Sequence, residues 1–203
     1  MLPIVIFAEG LTAFCALAFE IAMARVVAPY AGMSTDTWTA IIAAFLLALA
    51  LGNRTGGRLA ARADLRPMQL AAATALCLAS AAVAAVPAIM PRWDALVLAD
   101  APTEPLRVVA FAALPCIPAG FFFGLANPLL MTAALAMAQR GSVAGLVYGA
   151  GAAGSVLGVL GALWWLLDAL GVQGTIFAIA AIGTANGVLI ALAAAGRRRM
   201  TPA

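Results

Sequence analysis

Histidine and lysine are both missing from this chain of 203 residues, and charge of any kind is scarce, at 9% of positions. Without histidine there can be no histidine-ligated haem, no zinc site built on histidine and no Ser-His-Asp triad, which removes many enzyme classes at once. Cysteine is limited to Cys15, Cys77 and Cys116. They stand singly in three different apolar runs with no C-x-x-C spacing, and read as small buried apolar residues rather than ligands. No cofactor or metal is expected. The net charge of +3 comes entirely from arginine clusters, which speak to orientation in a membrane rather than to acidic partners, and nucleic acid is not an expected partner.

Apolar residues are what the chain has in abundance. They make up 66% of it, and the mean hydropathy is +1.09, more than one water-soluble core of this size could hide. Runs of about 20 apolar residues match a hydrocarbon layer of roughly 30 Å. The fold class expected is therefore all-α, a polytopic membrane bundle of about six transmembrane helices, near 3–28, 36–61, 67–90, 105–138, 142–167 and 172–195. Residues 1–196 form a single bundle and 197–203 a short basic tail. The first run has no basic leader and carries Glu9 early, so it reads as a retained helix. Breaks are placed at Pro29 and Gly32, Pro67, Pro87 and Pro91, Gly141 and Gly171. The connection 91–105 has room for a short amphipathic surface helix.

With the amino terminus inside, the inner segments hold Arg54, Arg58, Arg62, Arg66, Arg140 and Arg197 to Arg199, against Arg92 and Arg107 outside. Trp38, Trp93, Trp164 and Trp165 then fall near the outer interface. Both termini are thus expected in the cytoplasm, and the bacterial inner membrane is the expected location.

Charges inside membrane helices cost on the order of 2.5 to 3.5 kcal/mol each and need a reason. The first helix carries Glu9, Glu20 and Arg25. Glu9 and Glu20 return to one helix face, about 16 Å apart along the axis, and both should face the bundle interior. Arg25 is placed to snorkel to headgroups or to pair with Glu20 or Asp36. Glu20 reads either as a structural ion-pair member or as a proton or cation site. Asp36 reads as the N-cap of the second helix, and Asp168 as an interfacial residue. The fourth run holds Pro115, Pro118 and Pro128 with Gly120 and Gly124, and is expected to be kinked or split. Asn127 lies beside that break. Glu9, Glu20, Arg25 and Asn127 are the candidate intramembrane polar site. Asn53 and Asn186 read as amides bonding across helix interfaces.

The segment VYGAGAAGSVLG, 147–158, matches the G-x-G-x-x-G spacing of dinucleotide loops. No strand precedes it, no cation lies in its apolar run, and a pyrophosphate there would face hydrocarbon. Gly151, Gly154, Gly158 and Gly161 recur at three- and four-residue steps instead, and read as a smooth face for close helix packing.

The segment FAEGLTAFCALAFEIAMARVVAPYAGMSTDTWTAIIAAFLLALALGNRTGGRLAAR resembles the amino-terminal membrane region of membrane-embedded spermidine-synthase-like proteins. The matching pieces are Glu20 with Arg25, the APYAG turn with Ser34 and Trp38, and Gly56-Gly57-Arg58-Leu59. Gly124 with Pro128-Leu129-Leu130, then Tyr148, Gly154, Gly158 and LGVQGT extend the likeness over about the whole chain. The resemblance implies a membrane bundle usually followed by a soluble aminopropyltransferase-like domain. The residues end at GRRRMTPA, so no such activity is expected of this polypeptide; an enzyme acting alone at the membrane has the least support. At Gly151 the family commonly has Asn, so any polar role of that amide is lost. The loop GNRTGGRLAAR also looks like the basic loop of major facilitator transporters, though the acidic position of that motif falls on Ala61. Two functions follow. One is a non-catalytic membrane subunit or scaffold that contacts the lipid bilayer and other protein subunits or itself. The other is a small-solute or proton-coupled transporter of half major-facilitator size.

Overall fold

A computed structural model describes residues 1–100, 104–138 and 141–196. Arg140, the basic tail 197–203 and part of the 91–105 connection lie outside the described residues. Five helical stretches are long and apolar enough to cross a membrane, and mark the chain as a membrane protein. They are α1 (Leu2–Ala31), α2 (Thr35–Ala60), α3 (Leu65–Asp100), α4 (Glu104–Met137), and a fifth in which α5 (Gly141–Gly161) runs through the π-helical turn Ala162–Leu166 into α6 (Leu167–Gly196).

That fifth stretch has 56 residues and would be about 84 Å long if straight. It is not straight. Gly171 interrupts it at φ 66°, ψ −178°, a region of backbone space open essentially to glycine alone. On either side of Gly171 the chain returns to the same part of α1: Gly154 meets Gly10, and Asn186 meets Ala8 and Thr12. The chain therefore reverses direction between α5 and the body of α6. Gly32, at φ 74°, ψ 171°, uses the same glycine-only region to end α1.

Four helices make a central square in which α1 packs on α4, α4 on α3, α3 on α6 and α6 on α1. Two helices are peripheral, with α2 leaning chiefly on α4 and α5 chiefly on α1. Phe19, Phe45, Phe111 and Phe123 fill one part of the interior, and Val5, Leu129, Leu130 and Ile190 the other.

Several expectations about breaks are corrected. The third helix does not stop at Pro87 or Pro91 but continues through both to Asp100; each proline removes one N–H, a local loss that neighbouring helices can absorb in an apolar bundle. For the same reason α4 is one helix across Pro115, Pro118 and Pro128, not two halves. The N-cap of α2 is Ser34, whose hydroxyl accepts from Thr37 N–H at 3.2 Å, while Asp36 sits inside the first turn. There Asp36 faces the positive end of the helix dipole.

Candidate functional site

Because α2 and α5 stand on neighbouring sides of the α1–α4 pair, a cleft of about 510 Å³ opens sideways between them. Its polar lining is Glu9 from α1, Asn53 from α2, Asn127 from α4, and Tyr148 and Ser155 from α5, with Gly151 also in the wall. Glu9 is 7 residues from the start of α1 and Asn53 is 7 from the end of α2. Asn127 is 10 from the end of α4, and Gly151 is 10 from the start of α5. At 1.5 Å per residue all four lie roughly 10 to 15 Å from the same end of the bundle.

One carboxylate, two amides and two hydroxyls converge on a hollow otherwise walled by Ala13, Pro128, Met131, Val147 and Ala152. No arginine among the described residues lines it. Glu9 Oε2 is buried without a hydrogen-bond partner, and a buried carboxylate oxygen left unpaired is costly. The other oxygen, Oε1, faces Gly151: a methyl group added there would sit 3.7 Å from it, an ordinary contact. The glycine thus keeps the approach to the carboxylate open. Such a lining favours a cationic or hydrogen-bond-donating group. No cluster of three or more His, Cys, Asp or Glu side chains exists among the described residues.

Of the four candidate polar residues, the structure brings Glu9 and Asn127 together and leaves Glu20 and Arg25 apart from them. Glu20 is half-buried further along α1. Arg25 is exposed, and lines a separate hollow of about 280 Å³ with Tyr30 and Gln173. Nearer the opposite end of the bundle, Arg107 donates to Tyr30 O at 2.8 Å and sits 5.9 Å from the Phe111 ring centre. Tyr30 and Phe111 stack at 5.3 Å.

The glycines of α5 divide by role. A side-chain carbon on Gly154 would collide with the Gly10 carbonyl, and one on Gly158 with the Phe14 carbonyl. A side-chain carbon on Gly161 would sit 3.4 Å from the Phe14 ring. Gly151 meets no helix backbone and belongs to the cleft. The α2–α4 pair uses a device that sequence reasoning passed over: Gly52 and Gly56 lie against the Phe121 and Leu125 carbonyls, and Gly124 against that of Leu49. Its signal was present as G-x-x-x-G on both helices, at 52/56 and 120/124. Asn186 donates to Ala8 O at 2.9 Å and to Thr12 Oγ at 3.1 Å, fastening α6 to α1 behind Glu9. Gln69, also passed over, is fully buried with neither amide atom partnered.

No family model, no curated protein and no solved structure matches this chain.

Proposed function

We propose that this chain is an integral membrane subunit of a bacterial inner membrane, with six crossings and both termini in the cytoplasm. It catalyses nothing alone and is completed by association within the bilayer. The sixth crossing is α6 beyond Gly171, and the arginine and tryptophan distributions set the orientation. The likeness to the membrane region of spermidine-synthase-like proteins supports the same assignment. One observation carries it above the others: the cleft between α2 and α5 holds a carboxylate oxygen with no partner among the described residues. A membrane helix bundle that leaves such a group unpaired among apolar walls is incomplete at that point, since lipid chains cannot satisfy it.

Purification of the native assembly in mild detergent tests this reading. The expected result is recovery in stoichiometric association, whether with another chain or with itself; a strictly solitary chain in detergent and in lipid would overturn it.

The transporter reading is favoured by a specific feature of the same cleft, the convergence of Glu9, Asn53 and Asn127 in about 510 Å³, a volume in the range of small-molecule sites. Uptake into proteoliposomes tests it, with Glu9→Gln expected to abolish flux. Unchanged flux in that variant would remove the cleft from any transport mechanism.

A further inference from the structure

The cleft does not end as a compact pocket. A second hollow of about 250 Å³, lined by Leu17, Val159 and Leu160, shares Ser155 with it. Together they follow α5 from Val147 to Leu160, roughly 20 Å at helical rise. Along α1 the floor is Glu9, Ala13 and Leu17, one stripe at four-residue spacing. The result is a groove of helix length with its polar groups gathered near one end and an apolar remainder. That shape takes the ridge of a transmembrane helix better than a small solute, and it asks that helix for one basic side chain at the depth of Glu9.

The chain itself carries such a ridge. On α2 the face toward α4 is Ile41, Phe45, Ala48, Gly52 and Gly56, all buried. The opposite face presents Leu47, Leu51, Arg54 and Arg58, all exposed. Arg54 is 6 residues, about 9 Å, from the end of α2. Glu9 is about 10 Å from the corresponding end of α1. Val5, Ala8 and Ala60 share one cluster, so the two ends lie at the same side of the bundle. Arg54 therefore lies at the depth of Glu9 while pointing away from its own bundle.

We infer that a second copy of this chain closes the cleft, seating the Leu47–Leu51–Arg54 ridge of its α2 in the groove so that its Arg54 pairs with Glu9. The arrangement closes on itself. With a two-fold axis along the membrane normal, each α2 lies between the α5 and the α2 of the other copy, and each α2 face opposite α4 meets the other copy's α1. Such an interface is isologous and contains the Glu9–Arg54 pair twice. Both copies keep one orientation in the membrane, which the matched depths require. The inference rests on the subunit reading and names its partner.

Charge reversal in lipid vesicles or nanodiscs tests the pairing, with single-molecule photobleaching counting subunits. Wild type is expected to be dimeric. Glu9→Arg alone and Arg54→Glu alone should each lower the dimerisation constant at least about tenfold, because like charges then face each other twice. Mixing the two single variants should restore dimers that contain one of each, and the chain carrying both reversals should again dimerise with itself. Gly151→Leu, which leaves both charges in place but fills the groove beside Glu9, should also lower dimerisation. Dimers insensitive to both single reversals would overturn the pairing. A single copy recovered one-to-one with a different polypeptide would overturn the second-copy inference while leaving the subunit reading standing. A chain solitary in every medium would overturn both.

Discussion

At the scale of single residues, two glycines one turn apart on α5 have opposite tolerances. Gly154 abuts the Gly10 carbonyl, so Gly154→Leu must push α5 off α1, and overpacking of this kind costs about 1 to 3 kcal/mol. Gly151→Ala meets only the Glu9 side chain, at ordinary contact distance. Thermal unfolding in detergent should therefore show a lowered midpoint for Gly154→Leu and an unchanged one for Gly151→Ala; equal effects would mean that α5 does not lie on α1 as described. Asn186→Leu removes the amide that joins α6 to Ala8 and Thr12. A loss of about 0.6 to 1.7 kcal/mol is expected, the usual worth of an interhelical hydrogen bond in membrane proteins. The same unfolding measurement checks it.

The elements themselves were largely legible, for a physical reason: an apolar run long enough to span is its own signal, and Gly32 and Gly171 bound the runs where backbone rules place them, whereas the cap of α2 falls on Ser34 rather than Asp36. Proline was the misleading sign. In water a proline usually ends a helix, so the sequence places the end of α3 near residue 90, between Pro87 and Pro91; inside an apolar bundle the helix persists because leaving it would free many more backbone groups than the prolines do. The cleft was half legible. Glu9 and Asn127 stood out as polar groups in apolar runs, but their meeting depends on α2 leaning on α4 and α5 on α1, which hydropathy does not encode. Asn53, Tyr148 and Ser155 looked ordinary for the same reason. Glu20 and Arg25 stood out equally and lie elsewhere, since a shared helix face does not fix which neighbour that face meets. The reversal at Gly171 gives this scale its own prediction. A β-branched residue at φ 66°, ψ −178° is strained by about 1 to 3 kcal/mol. Gly171→Val should lower thermal stability by that order, or loosen α6 enough to raise protease sensitivity near residue 171; a fully wild-type response would show that the turn has another conformation.

For the whole molecule, the proposed six crossings would place both ends on one side, and the arginine bias would make that side the cytoplasm. Single cysteines introduced near each terminus in a chain stripped of Cys15, Cys77 and Cys116 should resist a membrane-impermeant thiol reagent in intact cells and react after lysis. Labelling of either one from outside would contradict the six-crossing arrangement. All three native cysteines are buried or half-buried and unpaired, so replacing each with alanine or serine should leave the fold intact.

The position of α2 at the rim, leaning on α4 and hardly on its chain neighbour α1, also has a consequence in time. A ribosome that has finished α2 at Ala60 must add 77 more residues before α4 is complete at Met137, about 4 to 15 s at ordinary rates of synthesis. Throughout that interval the bare backbone at Gly52 and Gly56 has no helix of its own to rest against, so the insertion machinery or an adjacent nascent chain must shelter it. Chains arrested before residue 104 should crosslink from position 52 to that machinery, and chains arrested well past residue 137 should lose the crosslink as α4 arrives.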